Sequence, residues 1–151
     1  MRRLLGVDVG DRRVGVAVSD EAGLAARALA TFRRGAPGED AALLARLARE
    51  QDAGGLVVGL PLEARGNEGQ QARRTRAWGT AMAELTGLPL VWRDERHTSA
   101  ATEAALGPPR LDRATGQPTR AAIALRRRRV DRGAAVRILQ AELDARAGLE
   151  G

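Results

Sequence analysis

Residues 3–19 read Arg-Leu-Leu-Gly-Val-Asp-Val, Gly-Asp-Arg, Arg-Val-Gly-Val-Ala-Val-Ser. Two apolar runs flank a Gly10-Asp11 turn signal, which is the pattern of a β-hairpin over 3–9 and 13–19. Asp8 interrupts the first run, and period-two alternation puts it on the same face as Gly6 and Gly10. Those small neighbours leave room for a group to approach the carboxylate. A buried carboxylate is costly unless an arginine, a cation or water meets it. On its own, Asp8 reads equally well as a turn-forming or ion-paired residue.

Outward from the hairpin, residues 27–33 form a third, alanine-weakened strand. A helix follows at about 39–52, with Leu44, Leu47 and Ala48 on one face, and Gly54-Gly55 stops it. Leu56 to Leu60 is a short continuous apolar run, as in a buried parallel strand. A helix over about 68–86 sets Trp78, Ala81, Met82 and Leu85 on one face, with Asn67 a candidate cap at its start and Gly87 at its end. Leu88 to Arg93 reads as another buried strand, and a short helix runs from Thr98 or Ser99 to Leu106. Residues 107–120 hold three prolines and two glycines and read as a flexible loop. A last helix begins at 121 or 128 and ends near 147. The order β-β-β-α-β-α-β-α-loop-α predicts an α/β fold whose mixed sheet has three antiparallel and two parallel strands flanked by helices. Ligands of such sheets gather at the carboxyl ends of the strands.

The chain has 151 residues, 44% of them hydrophobic, which fits one domain over 1–151 and excludes wholesale disorder. No run approaches the roughly 20 apolar residues of a membrane span. The N-terminus lacks a signal-peptide core, because Asp8, Asp11, Arg12 and Arg13 interrupt it. A cytoplasmic protein without membrane contact is expected. With no cysteine, disulfides, thiolate catalysis and Cys-ligated zinc are excluded.

All 25 basic residues are arginine, as a GC-rich coding bias would produce. Their placement says more. Residues 120–137 hold seven arginines and one acid, a surplus of six that equals the +6 of the whole chain. Such localised charge suits a polyanion better than a merely solvated helix face. Only Phe32, Trp78 and Trp92 are aromatic. Phosphate contact therefore fits better than base stacking.

Three carboxylates stand out. Glu95 falls just past the end of a strand, where a solvated charge cluster is the simpler reading of a lone acid. Asp131 has the better geometry. Measured from it at about 100° per residue, Ala134, Ala135, Ile138 and Leu139 fall near −60°, 40°, −20° and 80°. A carboxylate at 131 thus lies mid-way across the apolar face of its helix. Glu142 shares that face about 16 Å further along, at the far edge. Asp8, Glu95 and Asp131 brought together would repel unless cations bind, and oxygen ligands of this kind suit Mg²⁺ or Mn²⁺. Two such ions activate water and stabilise the leaving oxygen of a phosphodiester. There is no P-loop, no GxGxxG and no nucleophile elbow for His97 to serve.

In order and spacing, several motifs resemble those of the YqgF/RuvX family, the RuvC-like branch of the ribonuclease H-like fold. They are Gly6-Val7-Asp8-Val9-Gly10 with Arg13 to Asp20, Val58 to Leu62, Gly66 to Gly69, Asp94-Glu95-Arg96-His97-Thr98-Ser99, and Val130 to Ala135 leading to Gln140. The resemblance spans about 4–145. It implies a metal-dependent nuclease whose three acidic ligands fall on Asp8, Glu95 and Asp131. Family members are described as Holliday junction resolvases and as nucleases maturing the 5′ end of pre-16S ribosomal RNA. His97 stands where a bulky apolar residue is expected. Arginines Arg126, Arg127, Arg128, Arg129 and Arg132 replace lysines around the last acid, keeping the charge and adding bidentate phosphate contact. RuvC-type enzymes carry a further acid on the last helix, and Asp144 is too far from Asp131 to supply it.

The expected protein is a nuclease using Mg²⁺ or Mn²⁺, as two ions, on branched DNA or precursor ribosomal RNA. Arg76, Arg96 and the 126–132 arginines would contact phosphates, and symmetric cutting would call for a homodimer. Two rivals keep the same fold. One is a non-catalytic RNA- or junction-binding factor, which predicts binding without cleavage. The other is an actin-like ATP-binding domain, disfavoured because such proteins need two domains of this kind.

Overall fold

The computed structural model describes residues 2–94, 116 and 120–148, with the backbone alone between 120 and 132. The expected helix at 98–106 and nearly all of the loop at 107–120 lie outside them. Five strands, β1 (Arg3–Val9), β2 (Arg13–Ser19), β3 (Ala26–Arg33), β4 (Ala53–Leu60) and β5 (Leu90–Asp94), form one sheet in the order β3-β2-β1-β4-β5. Strands β1 to β3 are antiparallel neighbours, and β4 and β5 run parallel to β1. A bulge between Val16 and Ala17 offsets the β2–β3 register. The mixed sheet is the one expected from the order of elements.

Helices α1 (Pro37–Gln51) and α2 (Gln70–Thr86) cover one face, and α3 (Arg120–Arg146) covers the other. Alternation along β1 divides the two cores. Leu5, Val7 and Val9 join Leu44, Ala48, Trp78 and Met82 beneath α1 and α2, whereas Leu4 joins Ala17, Val57, Ala135, Ile138, Leu139 and Leu143 beneath α3. Gly6 lies on the α3 side. A Cβ there would stand 2.5 Å from Leu139 Cβ and 2.9 Å from the Ala135 carbonyl oxygen, so only glycine admits the helix this close. On the opposite side, the Asp40 carboxylate is buried to 1% exposure and accepts hydrogen bonds from Trp78 Nε1 (3.1 Å) and Gly35 N (2.8 Å), tying α1 to α2.

Four local expectations need correction. Gly54-Gly55 does not stop α1; the helix ends at Asp52, whose φ of 52° is left-handed, and β4 begins at Ala53. The two glycines lie inside β4 because Arg2 and Leu4 side chains pack against them. Asn67 does not cap α2, whose N-cap is Gly69; its Nδ2 instead donates to Glu63 Oε2 at 3.0 Å and closes the preceding turn. Leu85 is exposed, and the buried stripe of α2 is Ala72, Thr75, Trp78 and Met82. Strand β5 starts at Leu90 and is only partly buried, because it is the last strand of the sheet.

Candidate active site

Asp8 occupies the carboxyl end of β1, half-buried, opposite Gly15 of β2. It lies on the α3 side of the sheet, two residues beyond Gly6, a strand distance of about 7 Å. On β4 the position following the Val7–Val58 pair is Gly59, which is itself paired with Arg93 of β5. One row of the sheet therefore reads Thr31, Gly15, Asp8, Gly59, Arg93. Glycines thus flank Asp8 on both neighbouring strands, Gly15 on β2 and Gly59 on β4, in addition to Gly6 and Gly10 along its own chain.

The register of α3 relates Asp8 to residue 131. Near the beginning of β3, Gln140 accepts from Ala26 N (3.0 Å) and donates to the Leu24 carbonyl (2.8 Å). That end of the sheet is the one where Ser19 pairs with Ala26 and where Ser19 Oγ accepts from Leu4 N. Gly6 then meets Ala135 and Leu139. Moving from Leu4 to Asp8 along β1 thus means moving from Gln140 toward residue 131 along α3. Residue 131 is helical, one turn before Ala135, and its side chain lies outside those described. The apolar face computed from Asp131 is the observed one: Ala134, Ala135, Ile138 and Leu139 are all buried.

Glu95 lies outside the described residues. The residue before it, Asp94, closes β5 opposite Leu60, at the same carboxyl end of the sheet as Asp8. Arg96 lies outside as well, and for Arg126 to Arg129 and Arg132 only the helical backbone is described. Among the described residues no three His, Cys, Asp or Glu side chains converge. Of the three expected ligands, only the side chain of Asp8 is among those described. The donor chemistry at Asp8, a carboxylate between glycines with no sulfur nearby, fits a hard divalent cation.

Other carboxylates on α3 have partners. Glu142 is buried to 8% exposure and is matched by Arg146 Nε at 2.7 Å and Arg93 Nη1 at 3.6 Å. Asp144 accepts from Gln140 Nε2 at 2.9 Å, away from Asp8. Arg76 is engaged too: it pairs with Glu68, and its guanidinium lies 5.1 Å from the centre of the Trp92 ring. Asp20 caps the β2–β3 turn. The backbone N–H of Leu24 is the largest of several donors that hold its carboxyl below the ordinary range.

Two features escaped the sequence reading. Thr31 Oγ1 is buried in the Asp8 row with no hydrogen-bond partner among the described residues. Two residues further out along the same strands, Arg13 pairs with Arg33 across β2 and β3. The signal for that pair is the strand register, which composition cannot supply.

Comparison with known proteins bears on this arrangement. A family model described as RuvX, Holliday junction resolvase, matches residues 2–145. A protein of Symbiobacterium thermophilum described as a candidate pre-16S rRNA nuclease is 40% identical over 145 residues, covering 96% of this chain and 94% of that one. A Rhodopseudomonas palustris protein with the same description is 41% identical over 141 residues, covering 93% and 82%. Among solved structures, Thermus thermophilus RuvC in complex with a Holliday junction superposes with a TM-score of 0.57 at 16% identity, covering 99% of this chain and 98% of that one. A Fowlpox virus resolvase bound to junction DNA gives 0.52 at 8% identity, covering 95% and 97%. Likeness at these identities is one of fold, and the fold is ribonuclease H-like.

Proposed function

The chain belongs to the RuvX family of Holliday junction resolvases, and from that premise we propose that it is a divalent-metal-dependent nuclease cutting phosphodiester bonds of structured nucleic acid. The observation that carries the proposal is the placement of Asp8: on the α3 side of β1, between glycines, at the sheet end toward which residue 131 is directed. Asp8, Glu95 and Asp131 would hold the cation. When bound, Mg²⁺ or Mn²⁺ supplies an activated water and stabilises the leaving oxygen.

The chain's own residues do the rest. Three carboxylates in one site repel one another, so the site is built to be charged only with cations present. The arginines of α3 hold the phosphate backbone, and Arg contacts of this kind position a substrate without reading its sequence. Arg76 and Arg96 extend that surface. Arg76 does so at the expense of its pairing with Glu68. On a junction, two symmetric cuts call for two sites, hence a homodimer.

The test compares wild type with Asp8→Asn in Mg²⁺, Mn²⁺ and EDTA. Labelled four-way DNA junction, linear duplex and a pre-16S RNA 5′ fragment are the substrates. Metal-dependent cutting lost in Asp8→Asn with binding retained is expected. Paired nicks in the junction identify a resolvase, and cutting of the RNA alone identifies an rRNA maturation nuclease. Cleavage undiminished in Asp8→Asn rejects this site, and binding of all three without cleavage rejects the nuclease reading.

A further inference from the structure

The hairpin between β1 and β2 and the end of β3 meet at the carboxyl rim of the sheet. Arg13 is the direct cross-strand partner of Arg33, and Gly10 N donates to the Arg13 carbonyl at 2.8 Å. Arg34 N donates to the Arg12 carbonyl (2.8 Å), and its Nη1 donates to the Gly10 carbonyl (3.0 Å). Four arginines thus share this part of the rim with Asp11 and, about 7 Å further in, Asp8, leaving a local surplus of two. Arg12, Arg13 and Arg33 are exposed, and none of them makes an ion pair with another described residue.

Like charges directly opposite each other on a sheet are destabilising. Arg13 and Arg33 bear that cost with no acid set between them. Their position explains it. In the Asp8 row, Gly15 and Thr31 pair across β2 and β3, and Arg13 and Arg33 pair two residues further along the same strands. Alternation puts them on the same face of the sheet as Asp8. They stand beside Asp8 on the side away from β4 and β5, about 7 Å nearer the rim.

We propose that Arg13 and Arg33, flanked by Arg12, form a phosphate clamp that holds the nucleic-acid backbone next to the bond being cut. The clamp rests on the nuclease reading and adds a contact surface separate from the arginines of α3. Its ligand is the phosphodiester backbone, common to DNA and RNA, and it carries no base specificity.

The test is equilibrium binding of wild type and Arg13→Gln/Arg33→Gln to labelled four-way DNA junction and to pre-16S RNA fragment. It is run in EDTA to prevent cleavage, across a salt series. Each lost phosphate contact on duplex lowers the slope of log K against log salt by about 0.9. The double variant should therefore lose about 1.8 from the junction slope, equivalent to about 60-fold in affinity at 0.1 M salt relative to 1 M. Arg46→Gln, on the exposed side of α1, should change nothing. Because a repulsive pair is removed, the melting temperature of the double variant should stay level or rise; Arg33→Gln alone serves if the double variant folds poorly. Loss on only one of the two nucleic acids supports the clamp and names the substrate it serves. An unchanged slope on both, with wild type binding tightly, overturns the clamp and leaves the nuclease reading standing. Failure of wild type to bind either one overturns both.

Discussion

Gly6→Ala probes the contact that positions α3 over the candidate site. The new methyl group would sit 2.5 Å from Leu139 Cβ and 2.9 Å from the Ala135 carbonyl oxygen. Ordinary carbon contacts lie at about 3.5–4.0 Å, so helix and strand must separate by about 1 Å. Overpacking of this kind costs about 1–3 kcal/mol. For a chain of this length, each kcal/mol moves the melting temperature by about 2–4 °C, giving a fall of about 2–12 °C. Activity should suffer more than stability. Asp8 lies two residues along β1 from Gly6, and residue 131 lies one turn along α3 from Ala135. The same separation therefore misplaces the expected ligands, and about 1 Å of misplacement costs on the order of 100-fold in rate. Calorimetry and metal-dependent cleavage on the same preparation measure both effects. Gly38→Ala is the control: no atom lies within 4 Å of its Cβ position, and it sits in the first turn of α1. That substitution should stabilise by a few tenths to about 1 kcal/mol. A Gly6→Ala protein that melts within a degree of wild type and cleaves normally would refute the close approach of α3 and the site built on it.

Other substitutions test other parts of the molecule. Trp78→Phe removes the indole N–H from the buried Asp40 carboxylate, and urea unfolding should register a loss of about 1–3 kcal/mol. Glu142→Gln leaves Arg93 and Arg146 facing an uncharged partner; it should lower stability but, lying far along α3 from residue 131, leave metal-dependent cleavage within about twofold of wild type. The Asp20 carboxyl is held low by the Leu24 N–H, so its stabilising contribution is fully present above the unfolded value of about 3.9 and is lost as pH falls through the lowered folded value. An NMR titration of Asp20 should show a midpoint below that of a free aspartate, and a midpoint at or above it would contradict the capping role.

The parts that the sequence made legible depend on short-range periodicity. Alternation over residues 3–19 is enough to place Leu5 and Val7 in one core and Leu4 and Gly6 against the other. Helical spacing from Asp131 names the buried face of α3 correctly because Ala134 to Leu139 are simply apolar. Misreadings arise where a residue's neighbour is remote. Gly54-Gly55 resembles a helix stop until Arg2 and Leu4 are seen packed against it. The apolar run ending in Trp92 resembles a central strand until β5 proves to be the last of the sheet. Arg13 and Arg33 lie 20 positions apart in stretches whose charge balances overall, and only the β2–β3 register makes them partners. Within the site itself, Asp8 is legible from its apolar surroundings, whereas nothing local ties Glu95 to it.

The span between Gln140 and Ala26, 114 residues closed by one side chain, has a consequence for the life of the polypeptide. Chains emerge from the ribosome N-terminus first, and closing a long loop is slow compared with pairing neighbours. Strands β1 to β3 are contiguous and can assemble early. The face bearing Leu4, Ala17 and Val57 stays bare until α3 has been synthesised, almost the whole length of the chain later. A half-made molecule is therefore sticky, and a natural client for a chaperone.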